Sequence, residues 1–343
     1  MQQYQRSKVC RANSWLVVGS SAPFVPISLG ARQTCPVTRT EGTSGISEVD
    51  HGNAELLTQS VRGWFEVHAR DLPWRDPGTS AWGVLISEVM SQQTPVARVA
   101  PAWQRWMAQW PTPADLAAAS PADVIRAWDR LGYPRRALWL REAAIKICED
   151  FDSAVPSRYE DLLTLPGVGD YTAAAVAAFA FGQRVVVLDT NVRRVIARSV
   201  SGVETPESAS PTVAERRLAE AMLPIDGAAA AHWSVACMEL GALVCTSRSP
   251  DCGECALKST CAWVAAGRPA AATRARPTQR FTGTDRQVRG KLMAILRAAD
   301  GPVTARALGS AWPDDTQRMR CLDTLIADGL VEPLPRSRYR LPT

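Results

Sequence analysis

From Ala54 to Val264, apolar residues recur at three- and four-residue spacing and alternating runs are nearly absent. That period belongs to packed amphipathic helices, so the region reads as all-α. Helix starts are marked by capping residues: Ser80 before "WGVLISEVM", Ser120-Pro121 before "ADVIRAW", and Ser157 before "RYEDLLTL". The smoothest apolar stretch, Thr172 to Phe181, is mostly alanine and falls short of the roughly 18 residues needed to cross a bilayer. No membrane span is predicted.

The periodicity breaks at "GRPAAATRARPTQR" (Gly267 to Arg280), a Pro/Arg/Ala-rich stretch that reads as a linker, assigned to residues 266–284. Beyond it, Val288, Leu292, Ile295 and Leu296 mark one helix, stopped by Gly301-Pro302. Thr304 can cap a short second helix, and Met319, Leu322, Leu325 and Ile326 line a third that ends at Gly329. The closing "LVEPLPRSRYRLPT" alternates and is basic. Three helices and a basic ribbon predict a small winged-helix-like module over 285–343, a shape that serves both DNA and protein contacts.

Composition adds little until charge is located. With 46% hydrophobic and 21% charged residues, 343 residues suit a soluble globular protein of two or three domains. The net charge is +5, yet from Ala266 onward 14 Arg/Lys face 7 Asp/Glu, so the basic excess is C-terminal and suits a polyanionic partner or a solvated tail. Residues 1–50 carry Arg6, Lys8, Arg11, Arg32 and Arg39 with no acid before Glu41, a transit-peptide composition without a clear amphipathic helix. They read as a disordered extension.

Candidate chemistry is concentrated in three places. Cys245, Cys252, Cys255 and Cys261 form C-x6-C-x2-C-x5-C, which fits a Cys₄ zinc site or an iron–sulfur cube equally well on spacing. "LLTLPGVGDYTAAAVAAFAFG" sets Gly167, Val168 and Gly169 between two helices, a turn whose amides can grip a phosphate or merely join the helices. Two carboxylates complete the set. Glu88 lies among Leu85, Ile86, Val89 and Met90, where burial would raise its pKa, and Asp189 stands at a helix start, where it can serve simply as a cap.

In order along the chain, "LPWR" (72–75), "SEVMSQQT" (87–94), "RLGY" (130–133), "LPGVG" (165–169), "LDTNV" (188–192) and the cysteine loop resemble the A/G-specific adenine DNA glycosylases of the helix-hairpin-helix, endonuclease III superfamily. The resemblance covers roughly residues 54–265. It implies a six-helix barrel over 80–186, an iron–sulfur helical domain from 51–79 and 187–265, and one [4Fe–4S] cluster held by the four cysteines. It implies a DNA N-glycosylase that removes adenine opposite 8-oxoguanine or guanine, working as a monomer on double-stranded DNA, cytoplasmic, and nucleoid-associated in a bacterium.

Residue by residue, Glu88 matches the family's acid, Asp189 the carboxylate that stabilises the sugar cation, Asn191 its orienting neighbour and Tyr171 a pocket residue touching the acid. Arg75 matches the substrate pocket. Gln93 and Tyr133 match wedging positions, Thr94 and Leu131 positions near the opposing lesion, and Gly167, Val168 and Gly169 the phosphate-binding hairpin. Strand-cleaving relatives carry lysine at the Tyr171 position, so its absence implies a monofunctional enzyme. Pro134 and Ser91 depart from the family pattern, and the 82 residues after Cys261 replace a longer β-rich domain that checks for 8-oxoguanine. Two other readings stand beside this one: a bifunctional glycosylase/lyase on the same fold, and a noncatalytic iron–sulfur DNA-binding regulator.

Overall fold

The computed structural model describes residues 51–271 and 281–343. The extension expected over 1–50 and residues 272–280 of the expected linker lie outside the described residues. Two of the three expected serine caps form. The Ser80 hydroxyl accepts from the Gly83 N–H and Ser120 from the Asp123 N–H, each satisfying a first-turn amide that has no helical partner. Ser157 does not cap: its helix starts only at Tyr159, and the Ser157 carbonyl instead accepts from the Gln183 amide at 2.9 Å.

In chain order, helix α1 (His51–His68) is followed by α2 (Ala81–Ser91), α3 (Val96–Gln109), α4 (Pro113–Ala118), α5 (Pro121–Trp128), α6 (Arg135–Asp150), one-turn α7 (Tyr159–Leu162) and α8 (Asp170–Phe181). Helices α2 to α8 enclose one core containing Leu85, Ile86, Trp106, Trp128, Leu140 and Ile147. Its tryptophans meet edge to face, with Trp106 4.8 Å from Trp110 and 5.5 Å from Trp128. Next come α9 (Thr190–Ser199), α10 (Val213–Met222), α11 (Gly227–Leu243) and α12 (Ala262–Ala265). A second core joins α1 to α9, α10 and α11 through Leu57, Val61, Val195, Met222, Trp233 and Leu240.

The last segment has the winged-helix order: α13 (Asp285–Ala298), β1 (Val303–Thr304), α14 (Ala305–Gly309), α15 (Asp315–Ala327), β2 (Glu332–Leu334) and β3 (Arg338–Arg340). The antiparallel sheet runs β1-β3-β2, with Tyr339 opposite both Val303 and Pro333. Thr304 caps α14 as expected, accepting from the Ala307 N–H. Met319 was expected inward but is exposed, because the inward stripe of α15 runs through Cys321, Leu322 and Leu325 and leaves it on the flank. This module's core also takes in Ala122 and Ile125 of α5 and touches Leu138 of α6, so it packs directly on the barrel. Among the described residues the cysteines are all free thiols, and no helix is long and apolar enough to cross a membrane.

Candidate active site

Residues 82 to 90 of α2 are all buried, and Glu88 is the one carboxylate among them. It meets the start of α8, where the Tyr171 hydroxyl donates to Glu88 Oε2 at 2.8 Å. Burial pushes the Glu88 carboxyl up to about 7, and the charge of Asp189 adds to that rise, while the Tyr171 hydrogen bond and the Arg75 charge oppose it. Near neutral pH it is half protonated. Tyr171 is raised well above the usual phenol value by burial and by Glu88, so it stays a donor.

Asp189 is indeed the cap of α9. Its Oδ1 accepts from the Val192 N–H at 2.6 Å and its Oδ2 from the Asn191 amide at 2.7 Å. Burial also raises this carboxyl, but those N–H donors and the Arg194 charge favour the anion. Both carboxylates line one cleft of about 1170 Å³, together with Arg75, Gln92, Gln93, Thr94, Tyr171 and Asn191. The floor of the cleft thus holds a protonatable carboxyl and a hydrogen-bonded carboxylate, the pair needed to protonate a leaving group and stabilise a cation.

Arg75 is half-buried at the rim and committed to an ion pair. Its Nη2 donates to Glu239 at 2.9 Å, and Arg70 grips the same carboxylate with two bonds of 2.7 Å. Burial alone would raise Glu239, yet the two guanidiniums hold it at about 2.

The residues matched to wedging positions share an unusual backbone. Exposed Gln93 and Tyr133 both adopt left-handed φ, 55° and 48°, which non-glycine residues rarely tolerate. Buried Arg136, which the sequence reading did not single out, joins their loops: Nη1 donates to the Gln92 carbonyl at 2.6 Å and Nη2 to the Gly132 carbonyl at 3.3 Å. Thr94 adds a second stitch by donating to the Leu131 carbonyl at 3.0 Å. Leu131 itself points into the barrel core, and neither it nor Tyr133 lines the cleft.

In the hairpin turn only Gly167 needs to be glycine. Its φ is 74°, and a Cβ there would approach the Trp139 Cβ to 2.8 Å. Gly169 has an ordinary φ of −99° and open space around it, so a side chain would be tolerated there. Val168 is buried between them, while both glycines are exposed.

Cys245, Cys252, Cys255 and Cys261 line one small cavity with Arg198 and Trp263. Arg198 is fully buried, its guanidinium 3.4 Å from Cys245 Sγ and 4.7 Å from the Trp263 ring centroid. Its other hydrogen bonds go to the carbonyls of Glu204, Thr246 and Ser247. A buried cation facing sulfur with only neutral acceptors around it suits thiolates, and hence a thiolate-bound metal centre. Among the described residues, no three His, Cys, Asp or Glu side chains are grouped as for a single metal ion.

Arg194 connects this loop to the cleft. Its Nε donates to the Cys245 carbonyl at 2.7 Å, and its Nη2 to Asn191 Oδ1 at 2.7 Å and to the Gly241 carbonyl at 2.6 Å. Asn191 in turn donates to Asp189. Gly241 makes the contact possible: a Cβ there would lie 2.6 Å from the Asn191 Cβ.

A helical fold with this cleft and hairpin is that of base excision glycosylases, and residues 86–221 match the family model of HhH-GPD superfamily base excision DNA repair proteins. Among solved structures, a thermostable thymine-DNA glycosylase is similar at 25% identity and a TM-score of 0.56, covering 63% of this chain and 98% of that one. Endonuclease III in a non-covalent DNA complex shares the fold, with a TM-score of 0.55 at 20% identity over 64% of this chain and 99% of its own. The class is therefore a helix-hairpin-helix DNA N-glycosylase.

Adenine DNA glycosylase of Mycolicibacterium smegmatis is 52% identical over 279 residues, 81% of this chain and 93% of that protein. The human adenine DNA glycosylase is 41% identical over 224 residues, 63% of this chain and 40% of the human protein. This chain belongs to the adenine DNA glycosylase family and is a DNA-acting base excision repair enzyme.

Proposed function

We propose that the enzyme excises adenine paired with 8-oxoguanine or guanine, without cutting the strand, through Glu88 as acid and Asp189 as cation stabiliser. The observation that carries this reading is a buried carboxyl poised at about 7 in the same cleft as a hydrogen-bonded carboxylate. Adenine extruded into the cleft receives the Glu88 proton at N7, and the C1′–N9 bond breaks with its electron pair leaving on the base. Positive charge develops at C1′, where the Asp189 carboxylate stabilises it until water adds and loses a proton. Asn191 fixes the Asp189 rotamer, and Tyr171 orients Glu88.

Gln93 and Tyr133 act as wedges that fill the space left by the departing base, held in strained conformations that Arg136 and Thr94 support from below. Leu131 and Thr94 shape the loop facing the opposite base, and Arg75 closes the cleft rim. The turn at Gly167, Val168 and Gly169 receives a phosphate. No lysine amine stands at Tyr171, so the abasic product is released with its strand intact.

Cys245, Cys252, Cys255 and Cys261 would hold a [4Fe–4S] cluster. Their shared lining of one cavity beside the buried Arg198 guanidinium supports this reading. Bound there, the cluster would fix the loop that Arg194 ties to Asn191.

A panel of duplexes with A opposite 8-oxoguanine, G, C or T tests the reading. Faster release opposite 8-oxoguanine and G, with strand breaks only after alkali, is expected. Equal release from every pair contradicts the mispair specificity, and breaks before alkali contradict the monofunctional mechanism. Four irons and four sulfides per chain are expected on analysis; one zinc would contradict the cluster.

A further inference from the structure

The C-terminal module touches the loop that carries Tyr133, and the contact is specific. The Arg286 guanidinium, from the first turn of α13, lies 4.7 Å from the Tyr133 ring centroid. Its Nη2 is also the atom that a Cβ on Gly132 would meet, at 3.7 Å. Tyr133 is 45% exposed and held at a left-handed φ, a conformation that costs energy and persists only where neighbours over-determine it. Arg136 supports the ring from the barrel side at 5.1 Å, and Arg286 supplies the support from outside the barrel.

The module is placed firmly enough for this. Asp328 at the end of α15 accepts from Arg135 at 3.2 Å and from Arg289 at 2.5 Å. Arg135 is two residues beyond Tyr133, and Arg289 is one turn beyond Arg286, so a single carboxylate ties the start of α6 to the Arg286 face of α13. Ala122 and Ile125 of α5 lie in the module's own core. Arg126 adds a hydrogen bond to the Ala299 carbonyl at the C-terminal end of α13. A freely tethered affinity tag would have none of these contacts.

We infer that Arg286 is a positioning residue for Tyr133, through which the C-terminal module takes part in discriminating the base opposite the excised adenine. This rests on the reading of Tyr133 as a wedge. The module thereby reaches the catalytic loop without contributing a group to the cleft. Arg286 is exposed, so its truncation leaves the fold intact. A cation over an exposed ring is worth enough to change the population of a strained loop by about two- to fivefold.

The test is a double-mutant cycle in the full chain, reading single-turnover excision of A opposite 8-oxoguanine against A opposite G. Arg286→Ala is expected to lower that preference about threefold. Arg286→Lys, which keeps a cation, should retain most of the preference. Tyr133→Ala should lower it at least as far, and adding Arg286→Ala to Tyr133→Ala should cost nothing more.

If Tyr133→Ala lowers the preference while Arg286→Ala leaves it intact, or the two losses multiply, the positioning role is overturned and the wedge reading stands. Equal loss of affinity for both duplexes in Arg286→Ala also overturns it, reducing the residue to a phosphate contact. If Tyr133→Ala keeps the preference, the wedge reading fails and this proposal fails with it.

Discussion

Tyr171 and Glu88 are joined by a 2.8 Å hydrogen bond in which the phenol donates and the carboxyl accepts. The bond favours the ionised carboxylate, against the larger effect of burial. The two opposing effects leave the Glu88 pKa at about 7, where the carboxyl can both give up and regain a proton near neutral pH.

Tyr171→Phe removes the only opposing hydrogen bond, so the Glu88 pKa should climb beyond about 7. The alkaline limb of the excision profile should then move up by about 1 pH unit, the effect of losing one hydrogen bond to a charged group. Single-turnover rates from pH 5 to 9 measure it; an unmoved limb would mean that Tyr171 does not govern the acid.

Glu239 bears on stability rather than chemistry. Its folded pKa of about 2 lies below the ordinary glutamate value, so its ion pairs stabilise the fold above pH 4.5 and are lost as pH falls toward 2. Glu239→Gln leaves Arg70 and Arg75 partly unpaired and should cost about 3 kcal/mol at pH 7, reduced by the partial exposure of both arginines. Denaturant melts at pH 7 and pH 3 check this: the gap between the two proteins should shrink at the lower pH.

Arg194→Ala cuts the path from the Cys245 carbonyl to Asn191. Loss of one charge-assisted bond to a positioning side chain should slow excision about tenfold. DNA affinity should change little, because the Arg194 guanidinium is committed to Cys245, Asn191 and Gly241 and does not line the cleft. A filter-binding titration beside single-turnover kinetics separates the two effects.

Much of this site was legible in the sequence because its chemistry is carried by local motifs. Glu88 could be placed by its apolar neighbours on α2, and Asp189 by its position at a helix start. Asp189 is both cap and candidate stabiliser, so the two readings of that residue were never exclusive. Arg136, Arg194, Arg198 and Arg286 were not legible, since each has a partner more than 40 residues away in sequence, a carbonyl, a sulfur or a ring, beside any nearer one. An arginine's partner cannot be read from its own neighbours. The burial of Leu131 was not legible for a related reason: the turn that exposes Tyr133 also folds Leu131 into the core, with left-handed φ at both Gly132 and Tyr133.

The central claim is that protonated Glu88 drives adenine release. Single-turnover excision from an A:8-oxoguanine duplex, measured for the native chain and Glu88→Gln across pH 5 to 9, tests it most directly. The native rate should fall as pH rises through about 7, and the variant should be slower by on the order of a thousandfold, with no such limb. A variant that releases adenine at the native rate, or a native rate that climbs through pH 7, would contradict it.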